Sequence, residues 1–279
     1  MLAVSPPSEP IRPTASPAPD PRLLHTVEHL AQDGLVILPT DTVYGIGCAA
    51  RSAHAVGRLL AAKGRGRSMP PPVLVSGPAD LEAVVDELPE AARTLISTFW
   101  PGPLTLVLDA APDLSWDLGE TGGTIAVRMP DHPLTLQLLR AVGPLAVTSA
   151  NRTGAPPATS AAEARAAFSG RVRSAGSPDP QSPQDAEACG AQASPCRDIL
   201  LLDGGSTPGP LPSTIVDLSG PHAQAPVVLR EGVLDARLVQ EIAAAPPSAP
   251  SASGTPIPPE ATAAPSAADT PLRTEGAIE

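Results

Sequence analysis

Positive charge in this sequence is concentrated in one stretch that contains no acidic residue. The chain carries a formal net charge of −11, yet residues 43–79 hold five basic side chains and no Asp or Glu. Among them is Lys63, the only lysine beside 17 arginines, in the string KGRGR. An ammonium and an arginine fork bind phosphate oxygens in different ways, so their pairing is typical of a phosphate or carboxylate site. A solvated basic face is the alternative.

Loops rich in hydroxyl groups supply the other candidate chemistry. Four of them lie at predicted strand ends, where open α/β sheets bind ligands: 39–47, 63–72, 148–160 and 204–217. The sequence contains neither GxxxxGK[ST] nor GxGxxG, and Ser149 is not in a GxSxG elbow. No covalent nucleophile is evident. We therefore expect chemistry that positions reactants and stabilises charge, as phosphoryl transfer requires. His132, near Arg128, stays open as an acid or base.

Alternating apolar patterns predict the elements that hold these loops. Strands are expected over 35–38, 73–75, 104–109, 124–129, 145–151, 198–203, 213–218 and 226–231. Helices are expected over 22–33, 52–64, 77–88, 89–100, 132–143, 160–168 and 233–245. Because strands and helices alternate, the fold class is α/β with a buried, partly parallel sheet.

Proline marks the segments that we do not expect to join the core. Half of the 38 prolines fall in residues 1–21, 170–198 and 245–279, which hold few large apolar side chains. We predict a disordered N-terminal tail over 1–21, one domain over 22–244 with a flexible inserted loop at 170–198, and a disordered tail over 245–279.

Several classes of protein are excluded on composition. No apolar run reaches the roughly 18 residues that a membrane helix needs, and the N-terminus lacks the pattern of a signal peptide. Three cysteines make no disulfide framework, which favours a cytoplasmic location, and no zinc-ligand spacing occurs. The net charge of −11 argues against a protein that coats nucleic acid independently of its sequence.

Seven segments occur in the order, and at about the spacing, of one known family. They read PTDTVYGIG, KGRGR, FWPGPLTLVL, TIAVRMPDHP, TSANRTG, STIVDL and LREGVL. Over residues 22–244 the chain resembles the threonylcarbamoyl-AMP synthase family, or YrdC-like domain, in its short single-domain bacterial form. The resemblance implies a twisted, mixed open sheet with flanking helices and a concave basic pocket.

The resemblance also implies roles for individual residues. Lys63 and Arg65 match a KxR pair that faces the nucleotide phosphates, and Ser149 and Asn151 match an SxN pair on the opposite wall. These four are the implied catalytic residues. The implied threonine site comprises Thr40, Thr42 and Arg128. The further nucleotide contacts are Thr124, Ser213 and Arg230.

Structural interpretations of some of these residues stay open. Thr40 and Thr42 could order a turn, Asn151 could be turn chemistry, and Arg128 could form an ion pair with Asp131. Tyr44 and Trp100 are interpreted as packing residues.

The implied reaction joins L-threonine, bicarbonate and ATP to give threonylcarbamoyl-AMP and pyrophosphate, which makes the protein a nucleotidyltransferase. Mg²⁺ is expected to arrive with ATP, without a protein metal site. A downstream tRNA threonylcarbamoyl-transferase complex is the implied partner, acting on adenosine 37. Two alternatives remain: a non-catalytic module that binds double-stranded RNA or tRNA, and a paralogue for another carbamoyl-type substrate. The paralogue is kept open by Leu74, where the family often has His; Gly66, where the family often has Pro, is a further departure.

Overall fold

A computed structural model describes residues 20–176 and 198–244. Ten strands of this part of the chain form one mixed sheet in the order β10-β9-β4-β5-β3-β6-β2-β1-β8-β7. The strands are β1 (Leu35–Leu38), β2 (Gly45–Ala49), β3 (Val73–Leu74), β4 (Leu104–Asp109), β5 (Thr124–Arg128), β6 (Leu145–Ser149), β7 (Val172–Ser174), β8 (Ile199–Leu201), β9 (Thr214–Asp217) and β10 (Val227–Arg230). The helices are α1 (Pro21–Ala31), α2 (Ala53–Lys63), α3 (Pro78–Glu82), α4 (Glu90–Phe99), α5 (Pro133–Val142), α6 (Ala161–Ala167) and α7 (Ala236–Ala243), with a 3₁₀ turn at Gly220–Ala223.

The sheet is covered on both faces near its centre, as the all-apolar β1 predicts. Leu35 and Ile37 belong to a core cluster that residues of α2, α4, α6 and α7 also join, whereas Val36 and Leu38 belong to a second cluster with residues of α1 and α5. Alternate residues of a strand point to opposite faces, so two cores follow from one four-residue strand. All described residues belong to one compact unit.

Helix α2 begins and ends as its sequence predicts, and this sets the start of the basic loop. The Ser52 hydroxyl accepts a hydrogen bond from Ala55 N at 3.1 Å. Gly64 ends the helix with φ 65°, a left-handed conformation that glycine adopts without strain. Lys63 and Arg65 therefore flank a sharp change of direction.

The sequence interpretation missed two strands. It placed residues 39–47 in a loop, but β2 runs antiparallel between β1 and β6. It also placed 170–198 in a flexible insertion, which is wrong for β7, because Val172–Ser174 pairs in parallel with β8. The two glycines of β2 lower its strand propensity, and β7 is only three residues long. Neither segment therefore carried a local signal for a strand. Residues 177–197, like most of the predicted tails, lie outside the described part.

The helix predicted over 77–88 is also too long. Helix α3 ends at Glu82 because the following residues pair with the end of β4 instead. Val85 bridges Ala110, Ala111 N donates to Val84 O at 3.0 Å, and Asp86 N donates to Asp109 O at 3.1 Å. The tertiary hydrogen bonds outweigh local helix propensity here.

Glycine in β2 is required by close packing against β6. A Cβ added to Gly47 would lie 2.6 Å from Ala146 O and 2.6 Å from Val147 Cγ2. We expect Gly47→Ala to lower the free energy of unfolding by about 1–3 kcal/mol, because backbone must shift. Gly57→Ala, on an exposed turn of α2 with open space around it, should raise it by about 0.5–1 kcal/mol. Urea denaturation measures both, and an unchanged midpoint for Gly47→Ala would contradict the packing.

None of the helices in residues 20–176 and 198–244 is long and apolar enough to cross a membrane.

Candidate functional site

A cavity of about 510 Å³ lies on the sheet face that α1 and α5 partly cover. Alternate residues of four strands form its floor, as the two-residue period of a strand requires. They are Thr105 and Val107 of β4, Thr124, Ala126 and Arg128 of β5, Val147 and Ser149 of β6, and Ile215 of β9. Leu74 of β3 also lines the cavity, and both Leu74 and Val147 belong to the hydrophobic core that α5 covers. The cavity floor is therefore continuous with that core.

The charge of the cavity comes from arginines alone. Arg65, Arg128 and Arg230 line it, and no Asp or Glu is among its described lining residues. Burial lowers the pKa of all three guanidinium groups. The charge of Arg65 lowers the pKa of Arg230 further, and the charge of Arg230 likewise lowers the pKa of Arg128. Three positive charges close enough to repel one another around one cavity form an anion site.

Arg128 is held in place by three acceptors. Its Nε donates to Gly102 O at 3.0 Å, Nη1 to the Thr42 hydroxyl at 3.1 Å and Nη2 to Asp41 Oδ1 at 2.6 Å. Asp41, and not Asp131, is therefore its ion-pair partner; the Asp131 backbone N–H donates to the same oxygen at 3.0 Å. A guanidinium has five N–H donors, so two remain for a ligand.

Thr40 and Thr42 both order a turn and line the cavity. The Thr40 hydroxyl donates to Val43 O at 2.7 Å and accepts from Thr42 N at 3.2 Å. The two hydroxyl oxygens are 3.0 Å apart. The structural and functional interpretations of this pair are thus compatible, because the turn places Thr42 against Arg128 at the cavity wall.

Arg65 reaches the cavity from the loop after α2. Its Nη1 donates to the Thr148 hydroxyl at 3.0 Å, while its buried Nε has no partner. Thr148 was not predicted from the sequence as a site residue. Most of the Arg65 donors therefore remain available to an anion.

Lys63 and Asn151 stand behind the cavity wall and do not line it. Lys63 Nζ donates to Ser149 O at 2.5 Å, to Asn151 O and to Asn151 Oδ1 at 3.1 Å. Burial, reinforced by the charge of Arg65, lowers the Lys63 pKa to about 7. Of the implied KxR and SxN residues, the structure brings Arg65 and Ser149 to the cavity surface.

The remaining implied nucleotide contacts lie at two places along β4, because Thr124 pairs with Asp109 at one end of that strand and Ser213 lies beside Thr105 near the other. Thr124, Ser213 and Arg230 all line the cavity. The Ser213 hydroxyl lies 2.8 Å from that of Thr105, and Arg230 Nη2 donates to Ser213 O at 2.8 Å. Thr105 was also not predicted; its place in the alternating strand LTLVLD is the signal that could have identified it.

Three other residues were considered in the sequence analysis: Tyr44, Trp100 and His132. The first two form structural hydrogen bonds, and the third lies outside the cavity. The Tyr44 hydroxyl donates to Gly205 O at 2.6 Å, although the residue is among those that line the cavity. Trp100 Nε1 donates to Leu104 O at 2.8 Å, and the ring packs on the core. His132 does not line the cavity; its buried Nδ1 has no partner, and burial lowers its pKa against the opposing effect of Asp41 and Asp131.

No cluster of three or more His, Cys, Asp or Glu able to hold a metal ion is found in the described ranges.

Sequence comparisons relate this chain to known proteins. The sequence profile of the Sua5/YciO/YrdC domain, described as telomere recombination, matches residues 28–175, more than half of the chain. A putative threonylcarbamoyl-AMP synthase of Mycobacterium tuberculosis (strain ATCC 25618 / H37Rv) is 43% identical over 208 residues, which cover 75% of this chain and 82% of that protein. The threonylcarbamoyl-AMP synthase of Bacillus subtilis (strain 168) is 41% identical over 155 residues, covering 55% and 45%.

A solved structure extends the likeness to three dimensions. The crystal structure of P. abyssi Sua5 complexed with L-threonine superposes with a TM-score of 0.65 at 32% sequence identity. The match covers 79% of this chain and 56% of that one, so this chain spans little more than half of the longer protein. The profile match, the Mycobacterium relative and the shared sheet together show that this chain belongs to the Sua5/YciO/YrdC family, and that its matching relatives are enzymes named threonylcarbamoyl-AMP synthases.

Proposed function

We propose that this chain is an L-threonylcarbamoyladenylate synthase, a nucleotidyltransferase that uses L-threonine, bicarbonate and ATP. The observation that supports it best is the cavity: three arginines and a row of hydroxyls, with no carboxylate among the lining residues described. Such a wall attracts polyanions, and the nearby Asp41 carboxylate is paired with Arg128 at 2.6 Å. The relatives' names supply the substrate class.

The reaction requires no protein nucleophile. The threonine amine attacks bicarbonate carbon, and loss of water gives a carbamate. A carbamate oxygen then attacks the α-phosphorus of ATP, and the bond to the β-phosphate oxygen breaks. Pyrophosphate leaves with that electron pair, and threonylcarbamoyl-AMP remains. The protein's work in this reaction is to hold two anions together and to stabilise charge on the phosphates.

The residues divide between the two substrates. Arg128, with two free N–H groups beside Thr40 and Thr42, would hold the threonine carboxylate, because a planar fork matches a carboxylate. Arg65, Arg230, Ser149, Ser213 and Thr124 would surround the nucleotide. Mg²⁺ would be bound with the triphosphate and would offset the negative charge of the phosphates. Its ligands would be phosphate oxygens and water.

The assay is pyrophosphate release from purified protein with ATP, Mg²⁺, bicarbonate and L-threonine, with mass spectrometry of the adenylate. Release should require all three substrates, and Ser149→Ala should lower the rate by about 10–100-fold, since one hydrogen bond to a charged phosphate is lost. Ser97→Ala is the matched control: Ser97 is exposed on α4 and its hydroxyl donates to Thr94 O. Its rate should stay within twofold.

The other outcomes identify the alternatives. Turnover with another amino acid or carbamoyl donor, and none with threonine, would make the protein a paralogue; Leu74 in the cavity floor is the residue to examine first. Tight, salt-dependent binding of double-stranded RNA without any turnover would make it a binding module. A synthase would hand its product to a tRNA threonylcarbamoyl-transferase complex, and we propose a cytoplasmic location for both.

A further inference from the structure

The side chain of Lys63 is saturated by the loop that follows β6. An ammonium has three N–H donors, and three acceptors converge on Nζ: Ser149 O, Asn151 O and Asn151 Oδ1. The residue is 2% exposed and is absent from the cavity wall. No donor is left for a phosphate in this arrangement.

The same loop returns a hydrogen bond to the lysine backbone. The Thr153 hydroxyl donates to Lys63 O at 2.8 Å. Asn151 Nδ2 donates to Arg152 O at 3.0 Å and to Ala155 O at 2.6 Å, so the amide is used on both sides. We name residues 149–155 together with Lys63 the lysine clasp. It closes the C-terminus of α2 onto the end of β6.

The clasp connects two parts of the cavity wall. Ser149, whose carbonyl Lys63 holds, lines the cavity, and so does Arg65, two residues beyond Lys63. Arg65 in turn donates to Thr148, the residue before Ser149. Losing the ammonium would leave the Ser149 carbonyl with the Asn151 N–H alone, at 2.9 Å, and would take the Lys63 donor away from both Asn151 oxygens. Ser149 would stay paired with Gly45 of β2, but the turn after it would no longer be fixed to the end of α2, beside Arg65.

The clasp is built for a cation but offers it no carboxylate. Lys63 forms no ion pair with the acidic side chains of residues 20–176 and 198–244. Its partners are carbonyl and amide dipoles, which orient a charge without neutralising it. Burying a charge costs free energy unless hydrogen bonds offset the cost, and the three hydrogen bonds of Nζ do this for Lys63.

We propose that Lys63 is a positioning residue, which fixes Ser149 and the 149–155 turn against Arg65 and does not itself contact the phosphates. This inference rests on the proposed synthase function and assigns the direct phosphate contact to Arg65. It also reverses the role that the KxR resemblance implies for the lysine.

The test compares Lys63→Met with Arg65→Met in two measurements that need no turnover. The first is hydrogen exchange of the free protein, followed by mass spectrometry of peptides covering 149–158. The second is the affinity for inorganic pyrophosphate by calorimetry. Lys63→Met should speed exchange in that peptide at least tenfold and change pyrophosphate affinity by less than threefold. Arg65→Met should do the reverse, with at least a tenfold loss of affinity.

Kinetics provide a third readout. Lys63→Met should lower kcat at least 30-fold with the KM for ATP within threefold, because the loss is one of geometry. Lys63→Arg should not restore kcat, since a planar fork cannot place three donors on oxygens that converge on one atom. A phosphate-contacting cation would be rescued in part by arginine.

Unchanged exchange in Lys63→Met, with pyrophosphate affinity lost as in Arg65→Met, would overturn the inference. If Lys63→Met does not fold, Thr153→Val tests the same clasp from the other side, because it removes the bond to Lys63 O; normal exchange over 149–158 in that variant would overturn it equally. Pyrophosphate that fails to bind the unmodified protein would count against the proposed function, while the exchange result would still decide the role of Lys63.

Discussion

Replacing Arg128 by methionine is expected to lower kcat/KM for threonine by about 10²–10⁴-fold. Two N–H donors of this guanidinium remain for a ligand. A hydrogen bond to a charged group contributes about 1.5–3 kcal/mol, and each 1.36 kcal/mol is a factor of about ten in rate. Pyrophosphate release at varied threonine concentration measures the loss. A rate within tenfold of the unmodified protein would place the threonine carboxylate elsewhere.

The same substitution should destabilise the fold through Asp41. The Arg128–Asp41 pair is buried, with 7% and 13% of the two side chains exposed. Removing the cation leaves a buried carboxylate, which costs about 3–5 kcal/mol. The double variant Asp41→Asn/Arg128→Met should regain most of that stability and none of the activity. This pattern separates loss of substrate binding from loss of folding, and thermal unfolding of the three proteins measures it.

Replacing Arg65 by methionine is expected to raise the KM for ATP by about 10–100-fold. Its guanidinium uses one donor on Thr148, and the buried Nε has no partner. One charge-assisted hydrogen bond to phosphate, at about 1.5–3 kcal/mol, accounts for that range. Because the lost contact is ionic, the difference between variant and unmodified protein should shrink as salt rises.

Arg67→Met is the matched control for this loss. Arg67 lies two residues along the same loop but is exposed, and it pairs with Asp117 at 2.6 Å. An exposed pair of this kind contributes little to stability, and the residue does not line the cavity. Its KM for ATP should stay within twofold. Equal effects of the two substitutions would mean that only the overall charge of the loop matters.

Much of the architecture could be predicted from local patterns. The run LVIL predicts a strand with both faces covered, and β1 is buried throughout. Ser52 and Gly64 predict the two ends of α2, and the structure places the cap hydrogen bond and the left-handed turn there. On β5, the two-residue period places Thr124 and Arg128 on one face, and both line the cavity. Caps and periodicity act over a few residues, so they can be read directly from the chain.

The choice of partners was decided by the tertiary structure. Arg128 pairs with Asp41, 87 residues away, and not with its neighbour Asp131. Lys63 donates to carbonyls 86 and 88 residues away, where the sequence had suggested a phosphate ligand. Backbone carbonyls are present in every sequence, and no residue pattern shows which of them will converge on an ammonium. Strand order fixes that convergence, because β6 lies beside β2 and β3 and brings its end to the loop after α2.

The sequence by itself therefore determined most of the elements, the order of the motifs and the family of this protein, because each depends on local pattern or on matched segments. The tertiary structure alone decided which cations face the cavity and which support its wall. A buried charge must find its acceptors in three dimensions, and those acceptors come from segments that are distant along the chain.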